Sequence, residues 1–590
     1  MKNKRRVYKG ISASYGIVFG NIYKFSGGDV LPTRFYIGEK RIEKEVKFFY
    51  KTLEKIKSDI KSKAEAFPAI SDILKIQLAL LEDEVLLKQI EDLIREKKYN
   101  AIWATYEVIE EYIDKLEQVK DFYLKERVLD LKDIRKIIIS YLQGGLYKNK
   151  KSKSEDKPII VAKELYPSDI VHFLLGNIKG FILEEGSLTS HSVIIAKSLE
   201  IPGIVGCKGI YKEVNNEDFT ILDAINGKII VNPNNSDLKK YNEIKIVYER
   251  QQEELKSLRN LQPITIDGKK LTLLSNIELP WEITHTSSYG AEGVGLFRSE
   301  YIYLTNLREN LSETDQYEVY KFLIESEERL LTIRLFDFGG DKIIDESSTT
   351  DNSFLGIRGA RYLIRYRDIL RSQITAIYKA IGDVYKYKNK ENLTIRISVP
   401  FVTDIWEVEE ILDEIDKVKS KLGEQGYSFD DKNIEFGIMV EIPSTAIMLE
   451  NFLKKIEDIR FISIGTNDLI QFMFAIDRRN EDVTDLYSLY QPSLFKTFYN
   501  IVEVAHSYGV KVGVCGEIAS DFIFAILLLG FGVDELSMAV GSIPYIKKII
   551  RSVKYEDIRS IVSKIMTMDN SKDIEEFINL KLYKYIPKMK

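Results

Sequence analysis

The stretch IEFGIMVEIPSTAIMLENFLKKIEDIRFISIGTND, residues 434–468, contains two apolar, strand-like segments with a segment of helix length between them. The first strand-like segment, IEFGIMVE, ends at Glu441, and the second, RFISIGTND, ends at Asn467 and Asp468. Strands that alternate with helical segments are typical of strand–helix–strand units in a parallel sheet. The stretch therefore predicts such a unit, with an acidic side chain at the carboxyl end of each strand.

The same alternation continues on both sides of this unit. Helix-length segments such as TDQYEVYKFLIESEERL (314–330) and VEEILDEIDKVKSKL (408–422) separate further strand-like segments. Eight strand–helix units in succession predict a (β/α)8 barrel, although the region is somewhat longer than the roughly 250 residues typical of that fold. The eight predicted strands are KLTLLSN (270–276), GVGLFRSE (293–300), LTIRLFDFGG (331–340), LTIRISVP (393–400), IEFGIMVE (434–441), RFISIGTND (460–468), KVGVCGE (511–517) and VDELSMA (533–539).

Reactive side chains stand at the C-terminal ends of most of these predicted strands. A charged residue beside one strand end is usually a solvated loop charge. In a (β/α)8 barrel, however, the active site forms at the C-terminal ends of the strands, so barrel closure would bring the whole set to one mouth. We therefore expect the candidate site there. The side chains concerned are Asn276, Arg298, Glu300, Arg334, Asp337, Glu441, Asn467, Asp468, Cys515 and Glu517.

The residue types at this predicted mouth favour a phosphorylated, anionic substrate. Glu441 and Asp468 end adjacent strands and can converge on Mg²⁺, which is typically held by one or two carboxylates and substrate oxygens. Guanidinium groups bind phosphate oxygens in a bidentate manner. Phosphoryl transfer needs little beyond such charge neutralisation and alignment. The arginines available for this are Arg298, Arg334, Arg358 and Arg478.

Cys515, in the segment GVCGE, is the reactive thiol candidate at this mouth. A cysteine in such an apolar segment often serves only as a small buried hydrophobic residue. Its position at a strand end also suits a proton donor to a reacting carbon or a nucleophile, and the spacing does not distinguish these two roles.

A second reactive group is predicted in EEGSLTSHSVIIAKSLEIPGIVG, residues 184–206, where His191 stands at the start of a helical segment. A lone histidine is more often structural, as we expect for His172, His285 and His506. At a helix N-terminus, however, the dipole disfavours the imidazolium, and the free N–H groups favour a bound phosphate. His191 is therefore predicted to carry a phosphoryl group.

The chain divides into segments of different character. Short β-branched segments indicate a small α/β domain over residues 1–35 and 147–232. Residues 36–146 are rich in charge and helical in periodicity, so we expect a helical insertion in that domain. Residues 233–262 are predicted to form a linker helix, and residues 263–575 the barrel.

The overall composition indicates a soluble protein that resides in a reducing compartment. The 590 residues carry 85 Lys and Arg against 90 Asp and Glu, a net charge of −5, which does not favour nucleic acid or membrane binding. The two cysteines, Cys207 and Cys515, form no CxxC motif and no disulfide framework. The apolar segment IFAILLLGFGV (523–533) is too short to span a membrane. We therefore expect a cytoplasmic location.

The ordered motifs resemble Enzyme I of the phosphoenolpyruvate-dependent sugar phosphotransferase system over essentially the whole chain. The resemblance implies a multidomain α/β protein with a phosphohistidine α/β domain, an inserted helical HPr-binding subdomain and a (β/α)8 TIM barrel. The motifs that carry it are LTSHSVIIAKSLEIPGIVG, GVGLFRSE, RLFDFGGDK, NSFLGIRGAR, GIMVEIP, SIGTNDLIQFMFAIDR and VCGEIAS, with LLEDE and YLKER in the helical region.

The same resemblance implies roles for individual residues. His191 would accept the phosphoryl group of phosphoenolpyruvate and pass it to a histidine of the phosphocarrier protein HPr. Cys515 would protonate the enolate to give pyruvate. Glu441 and Asp468 would hold Mg²⁺.

The rest of the substrate pocket and the partners also follow from the resemblance. Arg298 and Arg334 would bind phosphate, and Asn467, Asp468 and Arg478 would complete the pocket. The helical insertion resembles the subdomain that docks HPr, and the barrel resembles the part that binds phosphoenolpyruvate and forms a homodimer. The unit that carries His191 would then swivel between these two partners.

Other functions remain open from the sequence. Phosphoenolpyruvate synthase and pyruvate phosphate dikinase resemble the phosphohistidine domain and the barrel, but both need a nucleotide-binding region, and residues 1–150 contain no glycine-rich phosphate loop. The nitrogen-related form of Enzyme I has an additional N-terminal sensory domain, whereas nine residues precede the first predicted strand here. A weakly active regulatory paralogue is suggested by Ser187 and Leu188, which replace a glycine and a cation of the common motif before His191.

Overall fold

The computed structural model describes residues 4–25, 32–66, 77, 78, 80–117, 122–143, 157–166, 169, 178–185, 201–300, 302, 312–339, 355–387, 390, 392–429, 431–476 and 488–586. These residues form two compact units, which comprise residues 1–251 and 252–590 of the chain. Among the described residues, no helix combines the length and the hydropathy that a membrane span requires.

The first unit is built on one eight-stranded sheet. Its strands are β1 (Arg6–Lys9), β2 (Ile11–Ser14), β3 (Ile17–Lys24), β4 (Ile159–Ala162), β5 (Gly180–Leu183), β6 (Gly203–Val205), β7 (Phe219–Asp223) and β8 (Lys228–Val231). Their order in the sheet is β1-β8-β7-β3-β4-β5-β6-β2. The neighbours from β3 to β6 are parallel, whereas the pairs of β7, β8, β1 and β2 are antiparallel.

Among the described residues, the first unit contains the helices α1 (Ile42–Ala66), α2 (Glu84–Glu96), α3 (Ala101–Glu117), α4 (Phe122–Leu142), α5 (Ile210–Glu213) and α6 (Asn235–Leu258), the last of which continues into the second unit. Helices α1 to α4 lie between β3 and β4 in the chain. Buried residues of these helices, such as Phe49, Ile90 and Ile134, share one apolar core with Ile160 and Phe181 of the sheet. The helical insertion therefore packs on one face of the sheet.

The second unit is a closed barrel of parallel strands. The strands are β9 (Thr272–Ile277), β10 (Val294–Arg298), β11 (Leu330–Arg334), β12 (Thr394–Val399), β13 (Ile434–Val440), β14 (Ile459–Ile464), β15 (Lys511–Val514) and β16 (Glu535–Ala539). Each coincides with one of the eight predicted strand segments, and β16 pairs with β9 to close the barrel. The predicted α/β class and its (β/α)8 barrel are confirmed.

Helices follow the barrel strands and cover them. In the part of the barrel unit that the structure describes, they are α7 (Ile283–Thr286), α8 (Glu313–Ser326), α9 (Ala360–Arg365), α10 (Arg367–Tyr387), α11 (Ile405–Glu424), α12 (Pro443–Ile447), α13 (Leu449–Lys455), α14 (Thr466–Phe474), α15 (Pro492–Ser507), α16 (Phe522–Phe531), α17 (Ile543–Ile550), α18 (Tyr555–Ile565) and α19 (Ser571–Leu582).

Local sequence fixes the start of several of these helices. Ser312 and Asp315 form a capping box at the start of α8, and Asp404 and Glu407 form one at the start of α11. In each box the two side chains accept the backbone N–H groups that have no partner within the helix. These caps fix the residues at which α8 and α11 begin.

Candidate active site

An arginine is held between two carboxylates at the barrel mouth. Arg358 donates from Nε and Nη2 to the two carboxylate oxygens of Asp337, each at 2.9 Å. It also donates from Nη1 and Nη2 to Asp468, at 3.0 and 3.2 Å. The guanidinium lies over the ring of Phe401, 4.7 Å from its centroid. One side chain thus joins the loop after β11 to the start of α14.

Arg334, at the end of β11, lies beside this pair and is also buried. It forms an ion pair with Glu300, and its Nη2 lies 3.6 Å from Asp337. Its Nε is buried and has no hydrogen-bond partner among the residues that the structure describes. Arg334 therefore keeps one N–H donor unsatisfied by the described residues.

Glu441 directly follows β13 and is almost completely buried. Its Oε1 accepts a hydrogen bond of 2.7 Å from the backbone N–H of Phe401. The pKa of Glu441 is raised to about 7, mainly by burial and then by the carboxylates of Asp468 and Asp337. Removal from water and the two neighbouring carboxylates therefore outweigh the stabilisation of the carboxylate by Arg334 and Arg358.

The loop after β14 is shaped to receive the Glu441 carboxylate. A Cβ atom on Gly465 would lie 2.5 Å from Oε2 of Glu441, which only a glycine avoids. Asp468 follows three residues later and keeps 18% of its side chain exposed. The two carboxylates predicted to share a cation are therefore brought together at adjacent strand ends.

These residues fit a divalent cation. Two carboxylates, one of them with a raised pKa, would be stabilised by a cation between them. No cluster of three or more His, Cys, Asp or Glu side chains with metal-binding geometry occurs within the described ranges. Substrate oxygens would have to complete the coordination shell, as is usual for Mg²⁺.

Cys515 follows β15 and is buried at the same mouth. Its Sγ lies 3.7 Å from the carbonyl oxygen of Ile464, to which it donates. The pKa of Cys515 is raised, mainly by burial. Of the two roles that the sequence left open, this environment favours the proton donor, because a nucleophile would need the thiolate.

The predicted residues Asn467 and Arg298 lie at the edge of the mouth. The side chain of Asn467 donates to Oε1 of Glu517 and accepts from the backbone N–H of Glu517, both at 3.1 Å. Arg298 pairs with Glu278 at 2.8 Å, and one third of its side chain is exposed. Asn276 donates to the carbonyl oxygen of Cys515 at 3.0 Å and so fixes the loop that carries the thiol.

Two predicted residues, His191 and Arg478, lie outside the described residues. The structure brings the others to one mouth and adds residues that the sequence did not single out. Phe401 adopts a left-handed backbone, with φ of 53°, and its N–H faces Glu441. Only its position after Pro400 at a predicted strand end could have indicated it.

Sequence profiles of known families match both units. The profile described as "PEP-utilising enzyme, N-terminal" matches residues 9–127, and "PEP-utilising enzyme, mobile domain" matches residues 154–227. The profile "PEP-utilising enzyme, PEP-binding domain" matches residues 252–555, which include the barrel and its mouth. Together with the fold, these matches define a phosphoenolpyruvate-utilising enzyme.

Full-length relatives identify the family more closely. The phosphoenolpyruvate-protein phosphotransferase of Buchnera aphidicola subsp. Acyrthosiphon pisum is 36% identical over 586 residues, which cover 97% of this chain and 99% of the relative. That of Haemophilus influenzae is 33% identical over 581 residues, with 96% and 98% covered. That of Staphylococcus aureus is 33% identical over 585 residues, with 97% and 99% covered. The chain belongs to the phosphoenolpyruvate-protein phosphotransferase family, which confirms the resemblance drawn from the motifs.

Proposed function

We propose that this protein transfers the phosphoryl group of phosphoenolpyruvate to His191 and then to a histidine of HPr, releasing pyruvate as the first step of a sugar phosphotransferase system. The observation that carries the proposal is the cluster at the barrel mouth of the buried side chains Arg334, Arg358 and Glu441 with the partly exposed Asp468. Family membership supports the same reaction.

Phosphate binding is assigned to the arginines. The free Nε of Arg334 faces no partner in the described part of the chain and can donate to a phosphate oxygen. Arg358 shares Asp468 with the candidate cation site, so its two N–H groups that now bind Asp468 could instead donate to phosphate oxygens when Asp468 holds a cation, while Nη2 keeps its bond to Asp337. Arg298, Asn467 and Arg478 are assigned to the remaining substrate contacts.

The transfer breaks the bond from phosphorus to the enol oxygen and forms a bond from phosphorus to an imidazole nitrogen of His191. The electron pair of the broken bond passes to the enolate. Cys515 then donates its thiol proton to the methylene carbon, which gives pyruvate, and the thiolate regains a proton from solvent. Exclusion of water around Cys515 keeps the thiol protonated until that step.

The cation assigned to this site is Mg²⁺, held by Glu441 and Asp468. When bound, it would neutralise charge on the phosphate and enolate oxygens. Its carboxylate ligands are set by the strand ends and by the N–H group of Phe401, which fixes the orientation of Glu441.

The resemblance to the family supports the assignment of partners. HPr is assigned to the helical insertion formed by α1 to α4, and a second copy of this chain to the barrel. We assign the protein to the cytoplasm, where a phosphocarrier and phosphoenolpyruvate are both available.

Labelling with radioactive phosphoenolpyruvate tests this function. In the presence of Mg²⁺ the wild-type protein should acquire an acid-labile, alkali-stable label, and His191→Ala should acquire none. Absence of label on the wild type at saturating Mg²⁺ would contradict the proposal and favour a regulatory paralogue. Label that requires ATP would indicate the synthase or dikinase class instead.

A further inference from the structure

A buried glutamine outside the predicted site connects two of the strand ends that form it. Gln373 lies on α10 and its side chain is fully buried. Its Oε1 accepts from the backbone N–H of Phe336 at 3.0 Å. Its Nε2 donates to Oγ of Ser299 and to the hydroxyl of Tyr320, each at 2.9 Å.

Both segments that Gln373 contacts carry residues of the barrel mouth. Ser299 lies between Arg298 and Glu300, and Phe336 precedes Asp337. The hydroxyl of Ser299 in turn donates to the carbonyl oxygen of Arg334 at 2.6 Å. The amide therefore links the end of β10 to the end of β11, close to the ion pairs of Arg334 and Arg358.

An amide is needed at this position. It accepts one hydrogen bond from a backbone N–H and donates two, which neither an apolar side chain nor a hydroxyl can do. An apolar residue would leave the N–H of Phe336 and the hydroxyls of Ser299 and Tyr320 buried with fewer partners. The two strand ends would then lose their common support.

We propose that Gln373 is a positioning residue for phosphoryl transfer, which holds Arg334 and Asp337 in register through Phe336 and Ser299. The inference rests on the proposed function, because the reaction is its readout. Displacement of charged groups by about 1 Å can lower a rate on the order of 10²-fold.

Gln316 provides a matched control in the same interface. It lies on α8, is equally buried, and donates from Nε2 to Oγ of Ser372, the residue next to Gln373, at 3.1 Å. None of its hydrogen bonds in the described structure reaches β10 or β11. Loss of this amide perturbs the α8–α10 packing without touching the strand ends.

The experiment compares Gln373→Leu with Gln316→Leu. For each variant and the wild type, kcat and KM for phosphoenolpyruvate are measured from the steady-state rate of pyruvate formation with HPr present, and the unfolding midpoint from denaturation. We expect kcat/KM to fall on the order of 10²-fold for Gln373→Leu. We expect no fall for Gln316→Leu, even where both variants lose comparable stability.

An isosteric variant gives a second readout that a purely structural role would not change. A carboxyl group buried at residue 373 would have a raised pKa, and its protonated form keeps one donor and one acceptor. The kcat/KM of Gln373→Glu, relative to wild type, should therefore rise as the pH is lowered, whereas the same ratio for Gln316→Glu should stay flat. This comparison decides the question if Gln373→Leu fails to fold.

The outcomes distinguish a failure of this inference from a failure of the proposed function. An unlabelled wild type would overturn the proposed function, and the inference with it. If the wild type is labelled, and the variants at Gln373 have the same kcat/KM and pH dependence as those at Gln316, the inference alone would be overturned.

Discussion

Burial of single side chains sets the chemistry available at the barrel mouth. Burial raises the pKa of Cys515, so the thiol keeps its proton at neutral pH. Burial beside Asp468 and Asp337 raises the pKa of Glu441 to about 7, so a cation is favoured beside it. Under the proposed function, the same physical cause, removal from water, would keep the proton on Cys515 until it is donated and would favour a cation beside Glu441.

Replacement of Cys515 tests its role as the proton donor. Cys515→Ala should lower the steady-state rate of pyruvate formation by about 10²-fold or more, as expected when a general acid is lost. Binding of phosphoenolpyruvate, measured by calorimetry, should change little. Cys207→Ala is the control, because Cys207 is also buried and reduced but lies in the first unit. Full activity of Cys515→Ala would contradict the assignment.

Gly465 tests how closely the Glu441 carboxylate must lie against the loop after β14. In Gly465→Ala the new Cβ would lie 2.5 Å from Oε2 and 2.8 Å from Cβ of Glu441, so the carboxylate must move. We expect a weaker response to Mg²⁺, with the half-saturating Mg²⁺ concentration raised about tenfold or more. Gly541→Ala is the control, because a Cβ atom added there would meet no other atom within 4 Å. Equal Mg²⁺ dependence in both variants would argue against Glu441 as a ligand.

Helices α10 and α11 are joined by an ion-pair network on the outside of the barrel. Glu414 accepts from Nη1 of Arg367 at 2.8 Å and from Nε of Arg371 at 2.6 Å. These contacts hold α10, which also carries Gln373, against α11. The network therefore supports the strand ends indirectly, through the helix that anchors them.

The pH dependence of stability tests this network. The pKa of Glu414 is lowered to about 2, mainly by its hydrogen bond to Arg371. In the unfolded chain it returns to about 4.3. Because the folded pKa is the lower one, the stabilisation is present above about pH 4.3 and is lost as the pH falls toward 2.

The variant Glu414→Gln should have a lower free energy of unfolding than wild type at pH 7. The difference between the two free energies of unfolding should shrink as the pH is lowered. Asp413→Asn, which removes the exposed pair with Lys417, should have a smaller effect. Denaturation curves over this pH range provide the measurement. If the free energies of unfolding of wild type and Glu414→Gln differ as much at pH 2 as at pH 7, the stabilising role of this ion-pair network is contradicted.

The strands and the strand-end residues could be predicted because each depends on local sequence. Apolar segments that end in Glu441, Asp468 or Cys515 indicate both the strand and its reactive end. The double pairing of Arg358 could not be predicted, because it depends on loops that are brought together only when the barrel closes. The backbone of Phe401 and the amide of Gln373 depend on tertiary contacts in the same way. The phosphorylation of His191 stays a prediction.

The barrel as a unit is also held by a buried ionic cluster inside the sheet. Arg396 of β12 bonds Glu435 of β13 at 2.7 Å and Glu535 of β16 at 2.6 Å, and it lies over the ring of Phe461 of β14. Three of these strands are neighbours, while β16 lies elsewhere in the closed order. One side chain thus crosses the barrel interior.

Loss of Arg396 should destabilise the barrel. Arg396→Met would leave two carboxylates without their cation, and removal of one partner from a buried ion pair costs about 3–5 kcal/mol. Hydrogen exchange of the barrel-strand amides measures the stability of this unit by itself. These amides should exchange faster in Arg396→Met than in wild type. Arg460→Met, at an exposed position of β14, should leave exchange unchanged. Equal protection in both variants would show that the cluster contributes nothing to closure.

Binding of phosphoenolpyruvate to variants of Arg358 tests most directly whether the barrel mouth is the substrate site. Arg358→Lys removes the planar fork but keeps the charge, so calorimetry with Mg²⁺ should show an affinity at least about tenfold weaker than wild type. Arg361→Lys, on the more exposed arginine that bonds Glu407 and Thr403, should bind like wild type. Wild-type affinity in Arg358→Lys would contradict the assignment of substrate to this mouth.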